Sequence, residues 1–220
     1  MPSMVLEGLQ RGKDKTFAVY RRNDGTIEKV SYKSILDQGD FLYCLLKSMG
    51  LKKGDRIASI TSLCPYWFSL LYAALKGEFI LTCIDPKIPL SQIKEMIEDT
   101  SSKLALTNVK NLHLDIPAFL LEEGFPQLND IKFINDADSE EMPEDTFFIL
   151  FSSGTTNERR KGVLLSHKTI TLGIEYGMAK DSGVYKNTSA YTPRECDLML
   201  FPPYHIAGLL CAVYDLYCKL

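Results

Sequence analysis

The chain has 220 residues, 45% of them hydrophobic, with 25 Lys and Arg set against 28 Asp and Glu for a net charge of −3. That is enough for one substantial domain or two small ones around an apolar core. The charge balance argues against a global footprint for nucleic acid or an anionic membrane surface. The most apolar stretch, Phe68 to Ile84, is interrupted by Lys76-Gly77-Glu78 and is not a membrane span.

The first fifteen residues, MPSMVLEGLQRGKDK, lack the apolar core of a secretory signal. Residues 17–32 read as a hairpin, with FAVY and IEKVSY on either side of the turn NDGT. Ser31 or Ser34 caps a predicted helix bearing Ile35, Leu42, Leu45, Leu46 and Met49 on one face and stopped by Gly50. RIASIT (56–61) is a short strand, Pro65 opens a helix that ends at Gly77, and FILTCI (79–84) is an almost wholly apolar strand. Leu90, Ile93, Met96 and Ile97 give the next helix an apolar stripe, after which KLALT (103–107) and IKFI (131–134) return to strand. Such alternation predicts an α/β fold, a parallel-rich sheet flanked by helices.

Residues 136–145, DADSEEMPED, hold six acids in ten positions and read as a solvated connector. It divides the chain into an expected first α/β lobe, 1–140, and the start of a second, 141–220, both parts of one larger domain. TFFILF (146–151) is then a buried strand, VLLS a further strand, and Ser166 the cap of a helix around HKTITLGIEYGMAK. Six cysteines, at 44, 64, 83, 196, 211 and 218, show neither C-x-x-C nor metal-ligand spacing. Most sit in apolar runs such as LTCID and GLLCAVY, where a reduced thiol acts as a small hydrophobe, which predicts a reducing, cytoplasmic setting.

The chemistry gathers in FILFSSGTTNERRKGVLLSH, 148–167. An apolar strand delivers Ser152-Ser153-Gly154-Thr155-Thr156 to the carboxyl edge of a sheet, where open α/β folds hold their ligands. Gly154 lets backbone N–H groups approach an anion closely; the hydroxyls add short donors, and Arg159, Arg160 and Lys161 add charge. A polyphosphate satisfies all of these together. An ordinary Ser/Thr-rich turn with solvated cations has the same composition. It is not a Walker loop, because Lys161 precedes Gly162 instead of following a second glycine, and no kinase-type Asp/Asn set accompanies it.

SSGTT followed by KGVLLSH resembles the signature loop of the adenylate-forming superfamily, T-S-G-T-T-G-x-P-K-G-V and then S-H. VSYKSIL (30–36), the GLKKGDR…LKGEF…DP stretch within 50–107, and FPPYHIAGL (201–209) are similar to three further motifs of that family, in order. The flavour is nearest the acyl-CoA synthetases, particularly fatty-acid ligases. The resemblance implies ATP, Mg2+ and coenzyme A as cofactors. It implies a reaction in which a carboxylic acid and ATP give an acyl-adenylate and a thiol acceptor then takes the acyl group. By position, Ser152, Ser153, Gly154, Thr155, Thr156 and Asn157 would hold the ATP phosphates. Lys161 would neutralise them, and Thr155 and Thr156 would meet the magnesium. His205 would act with Lys161 in catalysis, and Tyr204, His205 and Gly208 would line the substrate path. For His205 a purely structural imidazole is the alternative. His167, at a helix start, and Trp67, on an apolar helix, read as structural.

Two departures qualify the resemblance. Asn157 replaces the second loop glycine, and TTNERRKG has one residue more than T-T-G-x-P-K-G and no proline. Asn tolerates left-handed backbone angles, so the turn survives on this reading. The family's Y-G-x-T-E, T-G-D and C-terminal lysine motifs do not occur in the 220 residues. The chain is therefore expected to be the truncated N-terminal portion of the large domain, inactive by itself, and prone to self-association through apolar surface near GLLCAVYDLYCKL. The alternative is a degenerate, non-catalytic nucleotide-binding or interaction protein.

Overall fold

The computed structural model describes residues 2–12, 14–22, 24–121, 142–152, 160–179 and 199–218. Helix α1 (Pro2–Arg11) opens the chain, with Val5 and Leu9, one turn apart, fully buried. Strands β1 (Thr16–Arg21) and β2 (Ile27–Ser31) pair antiparallel as a separate ribbon. The Asp24 carboxylate organises their turn, accepting from the Thr26 N–H at 2.9 Å and from its hydroxyl at 2.6 Å, while Gly25 takes φ +88°.

Ser31 caps helix α2 (Tyr32–Ser48): its hydroxyl accepts the Ser34 N–H at 3.0 Å, which resolves the choice between the two serines. Strand β3 (Arg56–Ile60), helix α3 (Tyr66–Gly77), strand β4 (Ile80–Ile84), helix α4 (Leu90–Asp99) and strand β5 (Leu104–Thr107) follow the expected alternation. Short β6 (Ala118–Leu120), β7 (Thr146–Phe151), β8 (Gly162–Ser166), α5 (His167–Ala179) and α6 (Ile206–Cys218) complete the described elements. The strand expected at 131–134 lies outside the described residues.

One sheet of six strands runs in the order β6-β5-β3-β4-β7-β8. Every pairing is parallel except β7 with β8, which is antiparallel. Alternation along the buried strands sends side chains to two separate cores. Ile57, Leu81, Cys83, Leu104 and Leu106 join the larger cluster with α2, α3 and α6. Ala58, Ile60, Ile84 and Ala105 join the smaller one with Ile93, Met96 and Ile97 of α4. The sheet is thus covered on both faces, a mixed α/β fold of mostly parallel strands flanked by helices. Because β7 pairs with β4, strands from both sides of the acidic connector share this sheet.

Trp67 is fully buried in the larger core, edge-on to Phe68 at 5.3 Å. One expectation about apolar burial needs correction. Cys211, read as a small core hydrophobe, is exposed on α6, whereas Cys64 and Cys83 are buried; burial pushes the Cys83 thiol up to about 12. Of the described α6 side chains, Leu209, Ala212, Val213 and Leu216 are buried on one stripe against a core shared with α1 and α5, while Ile206 at its start is exposed. Further exposed apolar side chains include Val163 and Leu164 of β8, Leu172 and Tyr176 of α5, and Leu200 and Phe201. Among the described residues no helix is long and apolar enough to cross a membrane.

Candidate active site

The carboxyl edge of the sheet is built by the residues that follow each parallel strand. After β3 and β5 the chain is tied across the edge: the Ser62 N–H donates to Asn108 Oδ1 at 3.0 Å, and the Thr107 hydroxyl donates to the Ile60 carbonyl at 2.7 Å. After β4 comes Asp85, whose Oδ1 accepts the Lys87 N–H at 2.9 Å and so turns the chain away from the sheet. After β7 comes Ser152.

Ser152 and Lys161 face each other at the mouth of the β7–β8 hairpin. The last paired residues are Phe151 and Gly162. One step further, the Ser152 N–H donates to the Lys161 carbonyl at 3.1 Å and the Lys161 N–H reaches Ser152 Oγ at 3.4 Å. Ser152 and Lys161, nine positions apart in the sequence, are therefore brought side by side. The Ser152 N–H is committed to this closure, so its hydroxyl proton is what it has left to donate. The Lys161 side chain is exposed. Ser153, Gly154, Thr155, Thr156 and Asn157 lie outside the described residues. Gly162, at the return of the hairpin, packs under Ile149, where an added Cβ would come within 3.2 Å of that side chain.

Tyr204 and His205 belong to a tight turn into α6. The His205 N–H donates to the Pro202 carbonyl at 3.1 Å, and the two rings lie 4.9 Å apart, tilted by 52°. Gly208 is buried directly behind this turn: a Cβ there would sit 2.2 Å from the Pro202 carbonyl oxygen, so only glycine fits. Burial first, and then the charge and hydrogen bonding of Asp85, raise the Tyr204 phenol above its ordinary value. In the sequence Asp85 stands out only as part of the DP motif. What brings it to the site is the parallel pairing of β4 with β7, which the chain order alone does not reveal.

A separate cleft of about 770 Å3 opens at the opposite, amino edge of the sheet, lined among others by Lys53, Asp55, Arg56, Glu78, Asp145 and His167. Its charges are largely paired, Lys53 with Glu78 at 2.6 Å and Asp55 with Lys103 at 2.9 Å. His167 is half-buried there, stacked on Phe147 at 4.4 Å, and its Nδ1 finds no hydrogen-bond partner among the described residues. Burial lowers its pKa below the ordinary 6.5, against an opposing pull from Asp145. The imidazole is thus folded in its neutral form, and the unfolded chain takes up a proton first on acidification. The stabilisation is complete above about pH 6.5 and is lost as the pH falls through the lower folded value. Urea midpoints are expected to fall between pH 7.5 and pH 5, and a His167→Phe variant to show a shallower fall; identical slopes would remove His167 from the account.

The chain belongs to the AMP-binding enzyme family, whose model matches residues 7–218. Among curated proteins it is 23% identical over 220 residues to a crotonobetaine/carnitine–CoA ligase of Salmonella paratyphi C, covering 89% of this chain and 42% of the ligase. It is 27% identical over 168 residues to surfactin synthase subunit 2 of Bacillus subtilis, covering 74% of this chain and 4% of that protein. Among solved structures, O-succinylbenzoate coenzyme A synthetase from Bacillus subtilis, in complex with AMP, superposes with a TM-score of 0.70 at 16% identity. That match covers 99% of this chain and 54% of the synthetase. The chain thus spans about half the length of the solved relative and less than half of the ligase.

Proposed function

We propose that this chain carries the ATP-phosphate-binding part of a ligase that forms an acyl-adenylate from a carboxylic acid and ATP and passes the acyl group to a thiol such as coenzyme A. The observation that supports it is the hairpin mouth, where Ser152 and Lys161 close on each other at the carboxyl edge of a doubly covered sheet. That is where α/β proteins take their ligands, and the segment between the two residues is rich in hydroxyls and cations.

In this reading Ser152, Ser153, Gly154, Thr155, Thr156 and Asn157 surround the β- and γ-phosphates. Lys161 supplies the fixed positive potential that a departing pyrophosphate needs. Magnesium arrives with the nucleotide, and the Thr155 and Thr156 hydroxyls are hard oxygen ligands of the kind it accepts. Tyr204, His205 and Gly208 border the path of the carboxylate and later of the thiol. A fatty acid is the proposed acid, on the flavour of the motifs, and a cytoplasmic setting follows from the free thiols. The two lobes, 1–140 and 141–220, are proposed parts of one larger domain.

Equilibrium dialysis of the 220-residue chain with Mg-ATP is expected to give saturable binding, without carboxylate-dependent ATP–pyrophosphate exchange. No binding at millimolar nucleotide would sink the phosphate reading. Exchange by this chain alone would overturn the claim that it needs the family's later motifs. Asn157 and the extra loop residue favour the second reading, a non-catalytic relative. Binding that persists unchanged after the loop cations are removed would select it.

A further inference from the structure

The β1–β2 ribbon stands apart from the six-stranded sheet and is fastened to the body by one of its two faces. There Val30 is buried, Phe17 packs edge-on against Phe68 at 4.7 Å and Tyr32 at 5.0 Å, and Glu28 accepts the Tyr66 hydroxyl at 2.6 Å. The register fixes what the other face carries. Val19 stands opposite Lys29, and Arg21 opposite Ile27. Side chains two apart along a strand, or opposite one another across a pair, share a face, so these four form one cluster. All four are exposed, Val19 at 65% and Ile27 at 71%, the latter the most exposed aliphatic side chain among the described residues. Arg22, the next residue, is paired with Glu28 at 2.8 Å, but Arg21 and Lys29 have no ion-pair partner among the described residues.

From this cluster we infer that the outer face of the ribbon seats against an anionic lipid surface. Arg21 and Lys29 meet the headgroup phosphates, and Val19 and Ile27 enter the boundary with the acyl chains. Long cationic stems lie along apolar surface while their charged ends stay in the polar layer, which suits the alternation of the four residues. They include no aromatic side chain of the kind that anchors protein–protein interfaces, so a surface that yields to their shape fits them better than a rigid partner. The net charge of −3 does not oppose this locally. Glu28 is on the fastened face and paired, and the Asp24 carboxylate lies at the turn, bonded to Thr26. Charges act over about 8 Å at physiological salt, so the nearest ones decide how the chain meets a bilayer. Each cation strengthens partitioning roughly fivefold, which makes the contact weak and reversible. Nothing in it rests on the reaction proposed above.

Flotation of the full chain with vesicles tests it. Vesicles of phosphatidylcholine and phosphatidylserine are expected to retain the protein, less so as salt rises, and vesicles of phosphatidylcholine alone are not. An Arg21→Gln, Lys29→Gln double variant is expected to partition roughly 25-fold more weakly, and Arg21→Glu, Lys29→Glu more weakly still. Val19→Ser, Ile27→Ser should lower retention several-fold and leave its salt dependence in place. Lys47→Glu, Lys87→Glu makes the same change in net charge at two other exposed lysines and is expected to keep most of the binding. No retention of the wild-type chain on anionic vesicles overturns the inference, as does an equal loss in the Lys47, Lys87 variant. Capture by immobilised polyglutamate without capture by vesicles assigns the face to an acidic protein and overturns it too. If far-UV dichroism shows that the charge-reversed ribbon does not fold, the glutamine pair decides: unchanged retention removes the face and the expected loss upholds it. Failure of the chain to bind Mg-ATP sinks the phosphate reading and leaves the vesicle result standing.

Discussion

A Lys161→Ala, Thr155→Ala double variant is expected to bind Mg-ATP roughly 100-fold more weakly than the wild-type chain, with its thermal midpoint little changed. A hydrogen bond to a charged group contributes on the order of 1.5–3 kcal/mol, and each 1.4 kcal/mol is a tenfold change, so the lysine accounts for most of the loss. The threonine adds a smaller share, since neighbouring contacts to one ligand do not sum. Stability is spared because Lys161 enters the fold through its backbone: its N–H and carbonyl bond to Ser152, and alanine keeps both. Its side chain is exposed. Isothermal calorimetry gives the affinity and far-UV dichroism the fold. Equal dissociation constants for the two proteins would leave the hairpin as a plain turn.

Trp67→Ala should be the most damaging single change to the fold, costing about 3–5 kcal/mol, as truncation of a buried tryptophan generally does. Against a total of roughly 5–15 kcal/mol for a domain, that leaves little or nothing. Trp67 is fully buried between α3 and the larger core, with Phe68 edge-on and Phe17 beyond it. Its Nε1–H finds no acceptor among the described residues. Trp67→Phe therefore removes an unsatisfied donor as well as volume and is expected to cost less than half as much. Urea denaturation followed by dichroism measures both variants. A Trp67→Ala midpoint within error of wild type would mean that α3 does not hold this core together.

Much of this architecture was written plainly in the residues. The Ile35–Met49 stripe, the short strand at 56–61, the almost wholly apolar strand at 79–84 and the Ser166 cap follow from periodicity, composition and capping, and each formed within a residue of where it was expected. Helix α1 was missed because ten residues with two fully buried anchors give too short a pattern beside the GKDK that follows. Strand β6 has three residues at the sheet edge and little β-forming signal. The sense of β8 is not encoded in its composition, although a signal was available: the ten residues from 152 to 161 hold no helix-length crossover, which a parallel return requires. At the site, Ser152 and Lys161 were legible as chemistry and not as partners. Asp85 stayed hidden because strand order, a property of the whole fold, decides which strand ends are neighbours.

The antiparallel return of β8 has a practical corollary. Both ends of the hydroxyl-rich segment are fastened to one another at the end of the same ladder, at Ser152 and Lys161. With that closure in place, a residue added or deleted between them is expected to leave the register of the flanking strands unchanged. A glycine- and proline-bearing sequence from a relative, grafted between Ser152 and Lys161, is therefore expected to leave the scaffold in place.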